Sequence, residues 1–191
     1  MTNEELSLQT KKSLAAALKQ TMQKKRLSKI TVSELITACN VNRKTFYYHF
    51  EDIYALLKWI LEQEAIDVVK NFDLLVNPTE ALAFVIDYVD ENKHILNCAY
   101  DSIGREEMKR FFYTDLYDVV KTIIDGAAAE FQIPHDEKYQ DFLTSFYTEA
   151  LAGVLINYFQ EREKHNREQL IEYMYLILHS TIPEALQAKY K

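Results

Sequence analysis

Residues Lys29–Phe50 read KITVSELITACNVNRKTFYYHF, and this stretch decides what kind of protein the chain is. It predicts two short helices joined by a tight turn. Thr31 or Val32 opens the first, residues through Ala38 carry it, and Cys39-Asn40-Val41 make the turn. Such a turn needs positive φ at one position, and Asn is the best substitute for Gly there. Asn42 is placed to cap the second helix, which runs to His49, through its side-chain oxygen. At 100° per residue, Asn42, Phe46, His49 and Phe50 share one side, expected to pack on Ile30, Leu35 and Ala38. Lys44, Tyr47 and Tyr48 share the other, with Arg43 and Thr45 on its flanks. A short helix presenting Arg, Lys, Thr and Tyr outward suits a DNA major groove.

Charge supports that reading once it is located. The 191-residue chain carries a net charge of −7, which taken whole argues against nucleic acid. Residues 1–50, however, hold nine Lys/Arg against three acids, leaving 13 against 26 for residues 51–191. A basic head on an acidic body is the footprint of a localised DNA contact. The expected division is therefore a DNA-binding head over residues 1–50 and an acidic body over 51–191. Two cysteines, Cys39 and Cys98, make no disulfide framework. The amino terminus lacks a signal-peptide layout, and no apolar run approaches a membrane span. A soluble cytoplasmic protein is the expectation.

Three Gly and three Pro in 191 residues leave few breaks, and strand signals are absent. The periodicity predicts an all-α chain of about nine helices. The first covers 6–25, with Leu6, Leu14, Ala17, Leu18, Thr21 and Met22 as its apolar stripe and lysines on other faces, solvated or touching phosphate. Glu51-Asp52 opens a fourth helix from about 52 to 72, and Asn77-Pro78 opens a fifth to about Asp90. The sixth spans 92–100 and the seventh 105–131. The eighth covers about 136–163, and Asn166 caps a ninth that ends near Ser180, before Ile182-Pro183.

No enzyme constellation emerges: there is no P-loop, no G-x-G-x-x-G, no H-E-x-x-H and no C-x-x-C. The expectation is no catalytic residue, no metal and no cofactor. His94 and Cys98, four apart, could be ligands or a thiol sensor, but a structural pair is the simpler reading. Rings such as Phe84, Tyr88, Phe112, Phe142 and Phe146 are dense in the body. Most should be core, with a few able to line a cavity. Ala150, Ala152 and Gly153, beside Val154, form a small-residue patch that suits either an intramolecular or a subunit contact.

Val41-Asn42-Arg43-Lys44-Thr45-Phe46-Tyr47-Tyr48-His49-Phe50 resembles the recognition helix of the TetR family of transcriptional regulators. That pattern is roughly A-G-V-S-x-x-T-hydrophobic-Y-x-H-F. Asn40 and Asn42 replace its usual Gly and Ser, and Glu51-Asp52-Ile53 stand where relatives often carry a phosphate-binding Lys. The resemblance implies a homodimer on a palindromic double-stranded operator, with a small-molecule effector in the body. Arg43, Lys44 and Tyr48 are then the base readers. Thr31, Thr45, Tyr47 and His49 match positions that hold the DNA backbone. The last two long helices form the dimer interface, which places Ala150, Gly153 and Val154 there. The fourth helix transmits the signal, and Trp59, the single tryptophan, lies on it as a junction packing residue or at the cavity's border. A repressor is expected. The C-terminal part resembles, more loosely, a subgroup that includes regulators of dihydroxyacetone metabolism, which implies the alternative of an activator that docks a protein.

Overall fold

The computed structural model describes residues 2–66, 78–161 and 166–190, and every regular element among them is a helix. Helix α1 spans Asn3–Met22, α2 Val32–Cys39, α3 Arg43–His49 and α4 Ile53–Leu61, which runs on into a π-helical turn at Glu62–Ile66. Helix α5 spans Pro78–Glu91, α6 Lys93–Glu130, α7 Glu137–Gln160 and α8 Arg167–Ala188. Gly104, at φ 81° and ψ 173°, divides α6 into two arms. That conformation is closed to residues with a Cβ, so the break falls on a glycine. With the arms counted separately, the described residues hold nine α-helical segments.

The short helices are held at their ends by side chains. Thr2 and Glu5 exchange hydrogen bonds across the first turn of α1, so α1 starts three residues before its expected Leu6. Leu6 is consequently 47% exposed, and Leu14, Ala15, Ala17, Leu18 and Met22 form the buried stripe instead. Thr31 and Glu34 repeat the device on α2. Asp52 accepts from the Ala55 amide at 2.7 Å and starts α4 where the acids suggested. The expected reach of this helix beyond residue 66, and the cap at Asn77, lie outside the described residues.

One apolar core joins head to body. Leu14, Leu18, Leu35 and Phe46 are continuous through Leu56 and Ile60 of α4 with Ile86, Leu96, Met108 and Phe159. The first arm of α6 anchors the head through side chains. His94 Nε2 lies 2.9 Å from the Met22 carbonyl oxygen, and the Cys98 thiol donates to the Lys25 carbonyl at 3.5 Å. The His94–Cys98 pair is therefore structural, fastening the end of α1.

The second arm of α6 packs along α7, and α5 along α8. A smaller distal cluster, including Ile124, Leu143, Tyr147, Ile182 and Leu186, closes the far end. Here the sequence reading needs correction: α8 does not stop near Ser180 but carries Pro183 in its interior. A helical proline removes one i→i−4 hydrogen bond and costs about 3 kcal/mol. Burial of Ile182 and Leu186 beside it offsets that cost. Tyr139 also donates to the Ala185 carbonyl at 2.8 Å, and Lys189 pairs with Asp136, so the last turns are tied to the start of α7.

Candidate nucleic-acid interface and effector cavity

The candidate DNA face is built from the turn outward. Asn40 takes the left-handed conformation, φ 53° and ψ 41°, and the next amide, Val41, closes back on the Ile36 carbonyl at 3.0 Å. Asn42 then accepts from the Thr45 amide at 2.8 Å and the Thr45 hydroxyl at 3.1 Å, which fixes the first turn of α3. Phe46 is fully buried and Phe50 nearly so, against Leu35 and Ile30 of the same core. Ala38, expected as a packing partner, is exposed; Val32, Ile36, Cys39 and Val41 pack there instead. Asn42 caps from solvent, and His49 is half-buried.

What remains outside is the expected row. Arg43 and Lys44 are exposed, and Tyr48, at 82% exposure, stands clear of the protein. Tyr47 is exposed too, with its hydroxyl accepting from Arg43 Nη2 at 3.4 Å and the guanidinium 5.6 Å from its ring centroid. That weak contact engages one of the five guanidinium N–H groups, so Arg43 keeps donors for base edges. Thr45 spends its hydroxyl proton on Asn42, and Thr31 spends its hydroxyl and amide on Glu34 at 3.0 and 2.9 Å. Lys25 and Thr31 together hold the Glu34 carboxyl down at about 2. Burial, then the charge of Lys11, lowers the His49 pKa and favours its neutral ring.

Two anchors under this face have no signature in residue spacing. Lys11 of α1 lies 6.0 Å from the Phe50 ring centroid and 5.7 Å from that of Trp59. Those rings are 5.9 Å apart, so Trp59 braces the end of α3 from α4. The second is a chain from head to body: Lys19 of α1 pairs with Glu64 of the π-helical turn at 2.8 Å, and Tyr88 of α5 donates to Glu64 at 3.3 Å. Burial, with Glu64 beside it, pushes the Tyr88 phenol up, so it stays a donor. These groups line a polar cleft of about 740 Å³ at the junction. No local pattern links residues so distant in sequence.

A second cavity, of about 590 Å³, opens within the body between α5, the second arm of α6, α7 and α8. Its wall is mainly aliphatic, with Val85, Leu116, Ile123, Leu155, Met174 and Leu178 from the four helices. None of the dense ring-bearing positions singled out in the sequence lines it; its rings are Phe131, Tyr175 and His179. Trp59 does not border it. Among the described residues no group of His, Cys, Asp and Glu is arranged to hold a metal.

The dimer candidates divide. Ala150 is exposed, whereas Gly153 and Val154 are half-buried. Val154 packs on the core, and a Cβ built on Gly153 would meet nothing within 4 Å. An unexpected neighbour shares this face: Phe142 and Phe146 are 61% and 58% exposed and stacked at 6.4 Å. Tyr173, Leu176 and Ile177 of α8 are exposed as well.

A helix-turn-helix with a polar, outward second helix, set on a helical body with a cavity, defines a DNA-binding transcriptional regulator. Residues 76–180 match a family model described as the C-terminal region of a transcriptional regulator, over more than half of the chain. With the recognition-helix pattern, this places the chain in the TetR family, to which it belongs. It is similar to the HTH-type dhaKLM operon transcriptional activator DhaS of Lactococcus lactis subsp. lactis (strain IL1403), with 30% identity over 91 residues. That alignment covers 48% of this chain and 49% of the relative, so the chain spans about half the length of the curated relative it matches. A solved structure titled dihydroxyacetone kinase operon activator DhaS shares the fold. Its TM-score is 0.69 at 20% identity, covering 91% of this chain and 96% of that one. Among the described residues no helix is long and apolar enough to cross a membrane.

Proposed function

We propose that the chain acts in the cytoplasm as a homodimer on a palindromic operator, with residues 1–50 as its DNA-binding domain. Residues 51–191 form the regulatory and dimerisation domain and take a small-molecule effector. The observation that carries the effector is the 590 Å³ aliphatic cavity, which lies within the usual range of ligand sites. Arg43, Lys44 and Tyr48 read bases, and Tyr47 and His49 hold phosphates; Thr31 and Thr45 join them by turning their hydroxyl donors from Glu34 and Asn42 to the DNA backbone. Two copies meet through the α7–α8 face, where open space at Gly153 and the exposed Phe142, Phe146 and Ile177 favour close approach. Successive major grooves lie about 34–36 Å apart, so the separation of the two α3 helices decides binding. An effector in the body alters that separation through α4, with Trp59 and the Lys19–Glu64–Tyr88 chain transmitting the shift. The work is binding throughout, with no chemical step.

As a repressor, the protein would lose DNA when effector binds, and DNA would weaken the effector equally. The two relatives are named activators, which favours a second reading, an activator; on that reading the body docks a protein. A reporter behind the selected operator separates them. Deleting the regulator raises expression under the first reading and lowers it under the second. A monomeric protein that still footprints a symmetric site at full affinity would overturn the dimer.

A further inference from the structure

The outward side of α3 is built from donors. Arg43 and Lys44 are exposed and carry N–H groups only. The one carboxamide beside them, on Asn42, spends its oxygen twice, on the Thr45 amide at 2.8 Å and the Thr45 hydroxyl at 3.1 Å, which leaves that group a donor. Helix α3 itself holds no carboxylate, and Glu34 on the neighbouring helix is taken by Lys25 and Thr31. The acceptors that remain are hydroxyl oxygens, single atoms. In the major groove adenine needs a donor and an acceptor together, and cytosine needs an acceptor. Guanine alone shows two acceptors side by side, N7 and O6, so a face of donors matches guanine. The two tyrosine rings differ as well. Tyr47 meets the Phe46 ring edge-on at 5.4 Å and lies under the Arg43 guanidinium. Tyr48 is 82% exposed, propped edge-on by His49 at 4.9 Å. A ring held clear of the protein presents apolar surface, and the apolar group in the major groove is the thymine methyl. Tyr48 lies one helical turn beyond Lys44, about 6 Å along the axis, or roughly two base-pair steps.

We propose that α3 selects a guanine through the Lys44 ammonium group and, about two base pairs away, a thymine whose methyl group packs on the Tyr48 ring. The proposal rests on the reading of this face as the base reader, and it names what that face reads. Arg43 offers the same donor chemistry to a neighbouring guanine.

The test is selection from a randomised duplex library by the full chain and by Lys44→Gln, followed by titration of the selected operators. Lys44 and Tyr48 are exposed, so variants at both should keep the fold by circular dichroism. Wild-type half-sites should hold a guanine that Lys44→Gln exchanges for adenine, because a carboxamide pairs with adenine N6 and N7. Replacing that guanine with 7-deazaguanine, which keeps base pairing and loses N7, should weaken wild-type binding about tenfold and Lys44→Ala binding less than about twofold. Replacing the thymine with deoxyuridine, which loses the methyl group, should weaken wild type about threefold and leave Tyr48→Ala unaffected. Wild-type half-sites without a guanine, equal deazaguanine losses in wild type and Lys44→Ala, or a deoxyuridine loss that persists in Tyr48→Ala would overturn the assignment of bases and leave α3 the base reader. A selected sequence unchanged in Lys44→Gln, with binding merely weaker, would overturn base reading by Lys44 itself. Enrichment of no sequence by the full chain would overturn the DNA-binding reading beneath both.

Discussion

The head and the body are both helical, yet they are specified in different ways. In the head and in α4, which joins it to the body, each helix opens on a contact within three residues: Thr2 with Glu5, Thr31 with Glu34, Asn42 with Thr45, Asp52 with Ala55. Helices of seven to nine residues are marginal alone, so caps and a few buried side chains must fix them. In the body, helices of 22 to 38 residues get their stability from packing along their length. Asp136 and Asn166 still cap α7 and α8, but local chemistry there marks only the starts. The head is thus a local device, and the body a long-range one.

If that contrast is right, substitutions in the two regions should fail differently. The largest effect is expected from Gly153→Leu in the body. A Cβ at this position meets nothing within the protomer, and losing a helical glycine favours the helix, so monomer helicity should hold or rise. Dimerisation should be lost by sedimentation, and operator affinity should drop by roughly 10²–10⁴-fold as the two heads lose their linkage. A variant that remained a full-affinity dimer would remove Gly153 from the interface. Phe46→Ala comes next, because this fully buried ring is the centre of the head. Its loss should cost about 3–5 kcal/mol in denaturant unfolding and abolish binding to every DNA sequence alike.

A smaller effect probes the turn. Asn40→Gly should be nearly neutral, whereas Asn40→Val should destabilise the head by about 1–2 kcal/mol, since a β-branched side chain resists the left-handed region. Equal stability of the two variants would mean that the turn does not control the head. The smallest effect is in pH. Burial and Lys11 hold the His49 pKa below its usual value, while a phosphate beside it would favour the charged ring. If His49 holds phosphate, DNA binding takes up a proton, so affinity should rise as pH falls from above 7 towards 5.5. The rise should stay below about tenfold and vanish in His49→Gln.

The same contrast explains what could be read from the residues alone. Asn40 at positive φ, the cap at Asn42, the helix starts near Thr31 and Asp52, and the outward set of Lys44, Tyr47 and Tyr48 were all legible, because each depends on neighbours one turn away. The box at Thr2–Glu5 was equally local, and the motif S/T-x-x-E could have revealed it. Pro183 misled, because its local rule was overridden by burial of Ile182 and Leu186 against residues some 40–60 positions earlier. The cavity could not be read at all. Its wall draws on Leu82, Leu116, Leu155 and Leu178, whose spacing looks like ordinary core. Ala38 failed for a geometric reason: an eight-residue helix has one narrow inner face, and Leu35 occupies its centre.

If the outer face of α3 reads bases, removing the Lys44 amine must change which DNA is preferred. Wild type and Lys44→Ala should be titrated, at one salt concentration, against the operator selected by the wild type and against random duplex. The expected result is a loss on the order of 1–3 kcal/mol on the operator, a much smaller loss on random DNA, and relaxed preference at one position of each half-site. Equal losses on the two DNAs, with the selected sequence unchanged, would contradict it and leave Lys44 a phosphate contact only.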